Sequence, residues 1–410
     1  MSRRRHPASG TVTATPDRVV IAGASAAGLS AAETLRRSGH SGTIMLIGSE
    51  PVAAYDRPPL SKEILSGAWT PDRISLRTQA DLDALDLDAR YGVAASGLDL
   101  GTRTVALSDG TEVAFDGLIV ATGVRPRKLP GAPAHVLRSL DDALALKGSL
   151  GPGSRLVVVG AGFLGAEVAA VAVGLGTEVI VVEPAAVPLA HAVGEDVGSM
   201  LAQAHQDHGV DLRTGTGVAD VVPAGVRLQD GSVIEADAVL VAIGSLPNTE
   251  WLVGSGLTVD NGVVCDEFCA AAPGVYGAGD VARWDNPLFG TSMRIEHRTN
   301  AAEQGMAAAR NLLGAQRPFA PVPYFWSDQY DMKIRAYGDL RGHDEMRVVE
   351  GSLRERRFTA LYRSGDHLAG VLSVGMSPKS MRAWHRAVAA RAAWLEAVPD
   401  TPSSKLGATA

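Results

Sequence analysis

Apolar residues in this chain gather into short unbroken runs, each followed by small turn residues and then by an apolar pattern of helical period. Val19–Ala22 is such a run, Leu29–Arg37 has the helical pattern, and Thr43–Ile47 is a second run ending at Gly48-Ser49-Glu50. Continuous apolar runs of this length predict strands buried on both faces, and the intervening helix predicts a βαβ unit. The same grammar returns at Leu156–Val159, a helix to about Leu175, and Glu178–Val182 ending at Glu183. Each unit closes on a further run, Leu118–Gly123 in the first and Ala238–Gly244 in the second. Repetition at this scale predicts duplication of one architecture.

Elsewhere the pattern differs. Tyr55-Asp56-Arg57-Pro58-Pro59-Leu60-Ser61-Lys62 is a loop whose prolines forbid a regular helix until after Pro59. Gly274–Asp280 reads as a short buried strand ending in an acid, and Asn300–Leu313 reads as a helix. From Trp326 onward the strands are short (Lys333–Tyr337, Arg356–Tyr362, Leu368–Val374), and a helix is predicted over Lys379–Trp394. The fold class expected is α/β, with two Rossmann-like dinucleotide-binding units and an α+β C-terminal domain. The divisions expected are a leader over 1–16, a first unit built from 17–124 and 248–325, a second over 125–247, a C-terminal domain over 326–400 and a frayed tail over 401–410.

The chemistry sits at the turn after the first strand of each unit. Gly23-Ala24-Ser25-Ala26-Ala27-Gly28 follows one strand and Gly160-Ala161-Gly162-Phe163-Leu164-Gly165 the other. The first glycine permits a tight turn, the middle small residue lets phosphates approach, and the last lets helix and strand pack closely. Such a turn lays a pyrophosphate on helix N–H groups. Ser25 stands at the middle position of the first motif, where its hydroxyl either bonds phosphate or is merely tolerated. Ala32 and Ala169, four residues past the last glycine, keep both helices slim. Glu50 and Glu183 end the second strands, where an acid accepts hydrogen bonds from both ribose hydroxyls of an adenosine and repels a 2′-phosphate. Pro184-Ala185-Ala186 brings no arginine, so NADH is predicted over NADPH. Two such motifs in one chain predict two dinucleotides, the equipment of a flavoenzyme fed by a nicotinamide.

Composition narrows the setting. The 410 residues are 46% hydrophobic and 20% charged, the balance of a globular protein with sizeable cores. The net charge of −7 argues against nucleic acid as the main partner. From Trp326 onward 13 Lys and Arg accompany 10 Asp and Glu, a net of +3 on a body of −10. That mildly basic part either meets an acidic partner or is ordinary surface variation. The run Leu156–Gly176 holds Glu167 as its single charge, but its glycine motif reads as a buried strand–turn–helix rather than a membrane span. No membrane segment and no signal peptide are predicted, which places the chain in the cytoplasm. The two cysteines, Cys265 and Cys269, fit a reducing compartment and are too few for an iron–sulfur cluster; no metal site is expected.

These motifs stand in order with others: Ala121-Thr122-Gly123, Glu167 two residues past Gly165, Gly277-Ala278-Gly279-Asp280, Asn300-Ala301 with Gln304-Gly305, and Tyr324-Phe325-Trp326-Ser327-Asp328-Gln329-Tyr330. Over residues 17 to 395 the chain resembles the FAD-dependent, NADH-utilising ferredoxin reductases of bacterial oxygenase systems. The resemblance implies a glutathione-reductase-like fold, with FAD in the first unit, NADH in the second, and Lys62 and Glu167 together beside the flavin. It implies that Asp280 bonds the FAD ribitol and that the helix near Asn300 aims its N-terminus at the flavin. The cofactor-binding set it implies also includes Gly23, Ser25, Ala26, Ala27, Gly28, Glu50, Arg57, Ala95, Ala121, Thr122, Gly123, Arg125, Arg138, Gly279 and Arg298. Gly160, Gly162, Phe163, Leu164, Gly165, Glu183, Ile243 and Gly244 complete it. The bland alternative leaves Lys62 a surface lysine and Glu167 an acid on the first turn of its helix, where the helix dipole favours it.

Two positions depart from the family pattern. Arg298 stands where many relatives carry Trp, and either its charge or only its backbone N–H matters; His191 stands where an arginine is common. Trp326 either lines the electron exit path or is a core tryptophan. No redox cysteine pair follows the first fingerprint, so electrons leave the flavin for an external acceptor. The resemblance makes that acceptor a [2Fe–2S] ferredoxin of acidic surface, serving a haem monooxygenase or a ring-hydroxylating dioxygenase. Arg335, Arg341, Arg354, Arg356 and Arg357 are candidates to face it. An NADH-binding flavoprotein sensor and an NADH oxidase are the alternatives, and monomer and dimer both remain open.

Overall fold

The computed structural model describes residues 16–398. Apart from Pro16 the expected leader lies outside these residues, as does the expected tail over 401–410.

Three sheets carry the fold. The first orders its strands Ala270–Ala272, Val275–Gly277, Gly117–Val120, Arg18–Ala22, Thr43–Gly48 and Asp88–Tyr91. All neighbours are parallel except the first pair. Ala270–Ala272 and Val275–Gly277 thus return, from far along the chain, to a sheet otherwise built before residue 121. Its central strands are buried on both faces, as unbroken apolar runs require. The second sheet is four-stranded and parallel, in the order Asp211–Thr214, Glu178–Glu183, Arg155–Val159 and Ala238–Val241. The third is antiparallel, in the order Tyr324–Gln329, Met332–Gly338, His367–Val374, Arg357–Ser364 and Glu345–Ser352.

The two fingerprints build the same local geometry. Gly23 has φ +121°, and a Cβ on it would lie 2.0 Å from the carbonyl oxygen of Ala121. Gly160 has φ +102°, and a Cβ there would lie 2.5 Å from the carbonyl oxygen of Ala242. Each glycine lets the closing strand of its unit press against the turn. The helices that follow are Ala26–Arg37 and Phe163–Gly174. Helix Arg298–Leu312 lies against the first of these, so closely that a Cβ on Gly305 would stand 2.2 Å from the Ala27 oxygen. The run Leu156–Gly176 is a strand and a 12-residue helix. No helix among the described residues is long and apolar enough to cross a membrane.

Two expectations change near the C-terminus. The third sheet starts at Tyr324, two residues ahead of the expected domain start. The helix expected over Lys379–Trp394 instead runs Pro378–Ala389, and a separate short helix covers Trp394–Ala397. Backbone bonds to the sheet break it: Leu368 N–H reaches the Ala392 oxygen at 2.9 Å and Trp394 N–H the Asp366 oxygen at 2.8 Å. Arg391 takes φ +48° between the two helices.

The third sheet does not stand alone. Met332, Ile334, Phe358 and Leu372 share one buried cluster with Val197, Leu201 and Ala204 of helix Glu195–Asp207, which belongs to the second unit. This shared core fixes the sheet against the second fingerprint.

Candidate functional site

Glu167 is where the three parts of the fold meet. It lies on Phe163–Gly174 as the fifth helical residue, not on the first turn as expected. The free N–H groups of the helix end therefore do not account for it. Its side chain is 7% exposed, and four donors converge on it. Lys62 Nζ and Ser61 Oγ, both from the proline loop, each reach Oε2 at 2.6 Å. Ser327 Oγ reaches Oε1 at 2.7 Å and Asp328 N–H at 3.4 Å, both from the edge strand of the third sheet. Lys62 itself is 12% exposed. A buried carboxylate and a buried ammonium persist together only when paired and further hydrogen-bonded, and this pair is. Lys62 is therefore no surface lysine.

The pair opens onto a two-lobed cavity. A lobe of about 480 Å³ is lined by Ser25, Ala26, Ala27, Arg57, Lys62, Ala121, Gly123, Arg138, Phe163, Leu164, Glu167, Gly279, Asp280, Arg298 and Trp326, among others. A second lobe of about 680 Å³ adds Gly23, Glu50, Ala95, Thr122 and Arg125. Ser25, Tyr55, Arg57, Ala121, Gly123 and Arg138 border both, so one elongated space runs from Glu50 to Lys62 and Trp326. Trp326 is half-buried in this wall and belongs to no core cluster. Gly28 stands behind the wall, where a Cβ would lie 1.8 Å from the Gly23 oxygen.

Ion pairs set the charge along the cavity. Glu50 takes both Arg57 and the Tyr55 hydroxyl. Tyr55 accepts the Leu140 N–H at 2.9 Å, and burial pushes its phenol up to about 12. Arg57 also donates to the Arg138 oxygen at 2.6 Å. Asp280 accepts from Arg138 at 3.0 Å. Arg298, first residue of its helix, donates to Asp56 at 2.6 Å, so the cation unusual at this position comes with its own counter-charge. Three of the helices behind the cavity have no side-chain cap at the N-terminus: Ser25, Gly162 and His297 hold those positions without one. Uncapped N–H groups beside small residues could hold a phosphate.

The glycines of the second fingerprint line neither lobe. A Cβ on Gly162 would meet nothing within 4 Å, whereas one on Gly165 would lie 2.1 Å from the Gly160 oxygen. Ile243 touches the same turn, and Gly244 follows it at φ +91°. Glu183 spans the turn, its Oε2 accepting the Ala161 N–H at 2.8 Å and its Oε1 the Ala185 N–H at 2.9 Å. His191 is exposed on the short helix Ala190–Val193. Phe163 and Leu164 join the two regions, since both begin the second helix and both line the first lobe.

The cysteines stand elsewhere. Cys265 and Cys269 are free, 4% and 0% exposed, and packed in the core of the first unit. Burial pushes the Cys265 thiol up to about 12 and raises Cys269 as well, which suppresses the reactive thiolate. The five arginines do not form one free basic face. Arg341 pairs with Asp339 at 3.0 Å, and Arg356 pairs with Asp207 of the second unit. Arg335 stands directly opposite Trp326 in the strand pairing, on the same face of the sheet.

Several residues of the site carry no signal in the sequence. Ser61 and Ser327 bind Glu167, yet in sequence they are only letters of longer motifs. Behind Ser327 lie Gln329, His205 and Tyr330, joined to it by hydrogen bonds. Asp56 answers Arg298 from 242 residues away, with no local signal.

Comparison with known proteins agrees with this geometry. The pyridine nucleotide-disulphide oxidoreductase family matches residues 17–305, and a reductase C-terminal family matches 324–409. The chain is 39% identical to rhodocoxin reductase of Rhodococcus erythropolis, over 89% of this chain and 88% of that protein. It is 38% identical to the ferredoxin–NAD(+) reductase component of the anthranilate 1,2-dioxygenase system of Burkholderia cepacia, over 85% and 88%. The reductase in the covalent putidaredoxin reductase–putidaredoxin complex superposes with a TM-score of 0.87 at 34% identity, over 92% of this chain and 93% of that one.

Proposed function

The chain belongs to the pyridine nucleotide-disulphide oxidoreductase family, and from that membership we infer that it is an FAD-dependent NADH:ferredoxin oxidoreductase of a bacterial oxygenase system. The observation that carries this reading is the Lys62–Glu167 pair, set in the two-lobed cavity with no thiol among its lining residues. A disulfide reductase of this fold needs a redox cysteine pair at that place, and both cysteines of this chain are buried in another core.

The residues present fit FAD. The tight approach at Gly23 leaves the uncapped helix end at Ser25–Ala27 open to a pyrophosphate, Glu50 stands at one end of the cavity, and Asp280 lies between. FAD, when bound, accepts a hydride from NADH and gives up two electrons one at a time, while the protein supplies position and electrostatics. Gly162 and Glu183 would hold NADH, with Glu183 selecting against a 2′-phosphate. Phe163 and Leu164 would carry the nicotinamide end toward Lys62. Glu167 holds Lys62 in place, and Trp326 would line the side by which electrons leave. Balance requires one NADH, two oxidised ferredoxins, and release of NAD⁺ and one proton.

The partner we propose is a [2Fe–2S] ferredoxin of acidic surface that meets Arg335 and its neighbours beside Trp326, in the cytoplasm where NADH is supplied. Anaerobic NADH oxidation in the presence of such a ferredoxin and cytochrome c tests the reading. Rapid turnover that needs the ferredoxin and slows with rising salt supports it. Equal NADH consumption with oxygen alone would assign the chain to the oxidases instead.

A further inference from the structure

A line of buried polar side chains runs away from Glu167, on the side opposite Lys62. Ser327 Oγ donates to Glu167 Oε1 at 2.7 Å, and Gln329 Nε2 donates to Ser327 Oγ at 3.2 Å. Gln329 Oε1 lies 3.2 Å from His205 Nε2, and His205 Nδ1 lies 2.8 Å from the Tyr330 hydroxyl. Ser327 and Gln329 are fully buried and His205 is 6% exposed. The amide oxygen of Gln329 only accepts, so His205 carries its proton on Nε2. Its Nδ1 must then accept, and Tyr330 must donate. Every bond therefore points the same way, from Tyr330 to the carboxylate. Chains oriented in this manner polarise one another toward the charge at their end.

Tyr330 is held there against its backbone preference. It stands in the turn between strands Tyr324–Gln329 and Met332–Gly338 with φ +56°, where glycine or asparagine is the ordinary choice. His208 stacks on its ring, with centroids 3.6 Å apart and planes within 9°. Both histidines come from helix Glu195–Asp207 and its C-terminal cap in the second unit. A strained aromatic residue whose hydroxyl ends a buried chain on the site suggests a role for that hydroxyl.

We infer that Tyr330 and His205 are positioning residues: through Gln329 and Ser327 they fix the Glu167 carboxylate against Lys62. Deleting the Tyr330 hydroxyl frees His205 to take its other tautomer. Gln329 then turns its amide to donate to Nε2, its oxygen faces Ser327, and Ser327 divides its proton between that oxygen and Glu167. One hydroxyl, five hydrogen bonds away, thus loosens Lys62. The inference rests on the proposed function only for what Lys62 and Glu167 act upon.

Tyr330→Phe in the FAD-loaded enzyme tests it, with two readouts beside the melting temperature. The first is the rate at which acetic anhydride acylates Lys62 in the absence of NADH, read by mass spectrometry. The second is the limiting rate of flavin reduction by NADH in anaerobic single turnover. The expected result is a wild-type melting temperature, with acylation faster and reduction slower, each by about threefold to tenfold, the size of one weakened hydrogen bond. Either rate remaining at the wild-type value overturns the inference, because a merely structural turn moves neither. If Tyr330→Phe does not fold, Tyr330→Asn takes its place, since it suits the left-handed turn and also lacks the phenol. Its two rates are expected to move in the same directions, and either one at the wild-type value overturns the inference equally. A wild-type enzyme whose flavin NADH does not reduce would instead refute the proposed function and leave the acylation test standing.

Discussion

Arg298 and Asp56 form an ion pair, Nε to Oδ1 at 2.6 Å, that ties the start of helix Arg298–Leu312 to the proline loop. The two lie 242 residues apart in sequence, and both side chains are partly exposed, 26% and 35%. Exposure of that order limits the pair's contribution to stability to roughly 1 kcal/mol or less. Its larger consequence is electrostatic, because Arg298 lines the lobe that also holds Lys62.

Arg298→Gln leaves the Asp56 carboxylate uncompensated next to the lobe proposed to hold the flavin. An added negative charge disfavours the reduced, anionic form, so the midpoint potential falls. At the effective dielectric of a partly exposed site the shift is roughly 1 kcal/mol, about 20 mV for a two-electron couple. Arg298→Gln combined with Asp56→Asn restores neutrality and returns the potential toward wild type. Spectroelectrochemical titration of the three proteins checks this, and a potential unmoved by Arg298→Gln rejects it.

Glu167→Gln keeps the shape of the side chain and removes its charge. Lys62 then has a buried ammonium with no counter-ion, and the amide nitrogen of the new side chain meets a donor on one side or the other. Breaking a buried pair by removing one partner costs about 3–5 kcal/mol. We expect a lower unfolding free energy of that order, together with slower flavin reduction by NADH. Lys62→Met, which removes the cation and keeps the volume, should destabilise less, because Ser61, Ser327 and the Asp328 N–H still satisfy the carboxylate. Denaturant unfolding ranks the two variants.

How far the site was legible follows from the range of the forces involved. Gly23 and Gly160 were legible because each answers a backbone constraint within its own turn. Strands such as Val19–Ala22 were legible because burial on both faces writes an unbroken apolar run. Lys62 and Glu167 are 105 residues apart, and only a family resemblance brought them together. Ser61, Ser327, Gln329 and His205 act through hydrogen bonds between distant elements, which leave no period or spacing in the chain. Tyr330 hides its turn, because a positive φ announces itself in sequence only through glycine or asparagine. The C-terminal helix is shorter than its apolar pattern predicts for a related reason. Ala389-Ala390-Arg391 offers no breaker, and bonds to a neighbouring strand do the breaking.

Glu183→Arg tests which nicotinamide the second fingerprint takes. The wild-type carboxylate is fixed by the Ala161 and Ala185 N–H groups at the end of its strand. Its replacement removes acceptors for two ribose hydroxyls and supplies a cation for a 2′-phosphate. Charged hydrogen bonds of this kind amount to about 1.5–3 kcal/mol, so kcat/KM for NADH should fall about tenfold to a hundredfold. The value for NADPH should rise. An unchanged NADH-to-NADPH ratio in steady-state assays excludes Glu183 as the selector.

Acid stability reports on His205. Burial lowers its pKa from the ordinary histidine value to about 4, so the folded protein keeps it neutral where the unfolded chain protonates it. With the folded value depressed, stability is full above about pH 6.5 and is lost as pH falls through that value toward 4. The loss approaches about 1.4 kcal/mol per pH unit for this one histidine. His205→Gln, whose amide nitrogen takes the place of Nε2, keeps a donor to Gln329 and removes the titration. Its unfolding free energy should therefore fall less steeply between pH 6.5 and 4 than that of the wild type, even if it starts lower. Denaturant melts at four pH values in that window give both slopes, and parallel slopes would show that His205 titrates alike in the folded and unfolded protein.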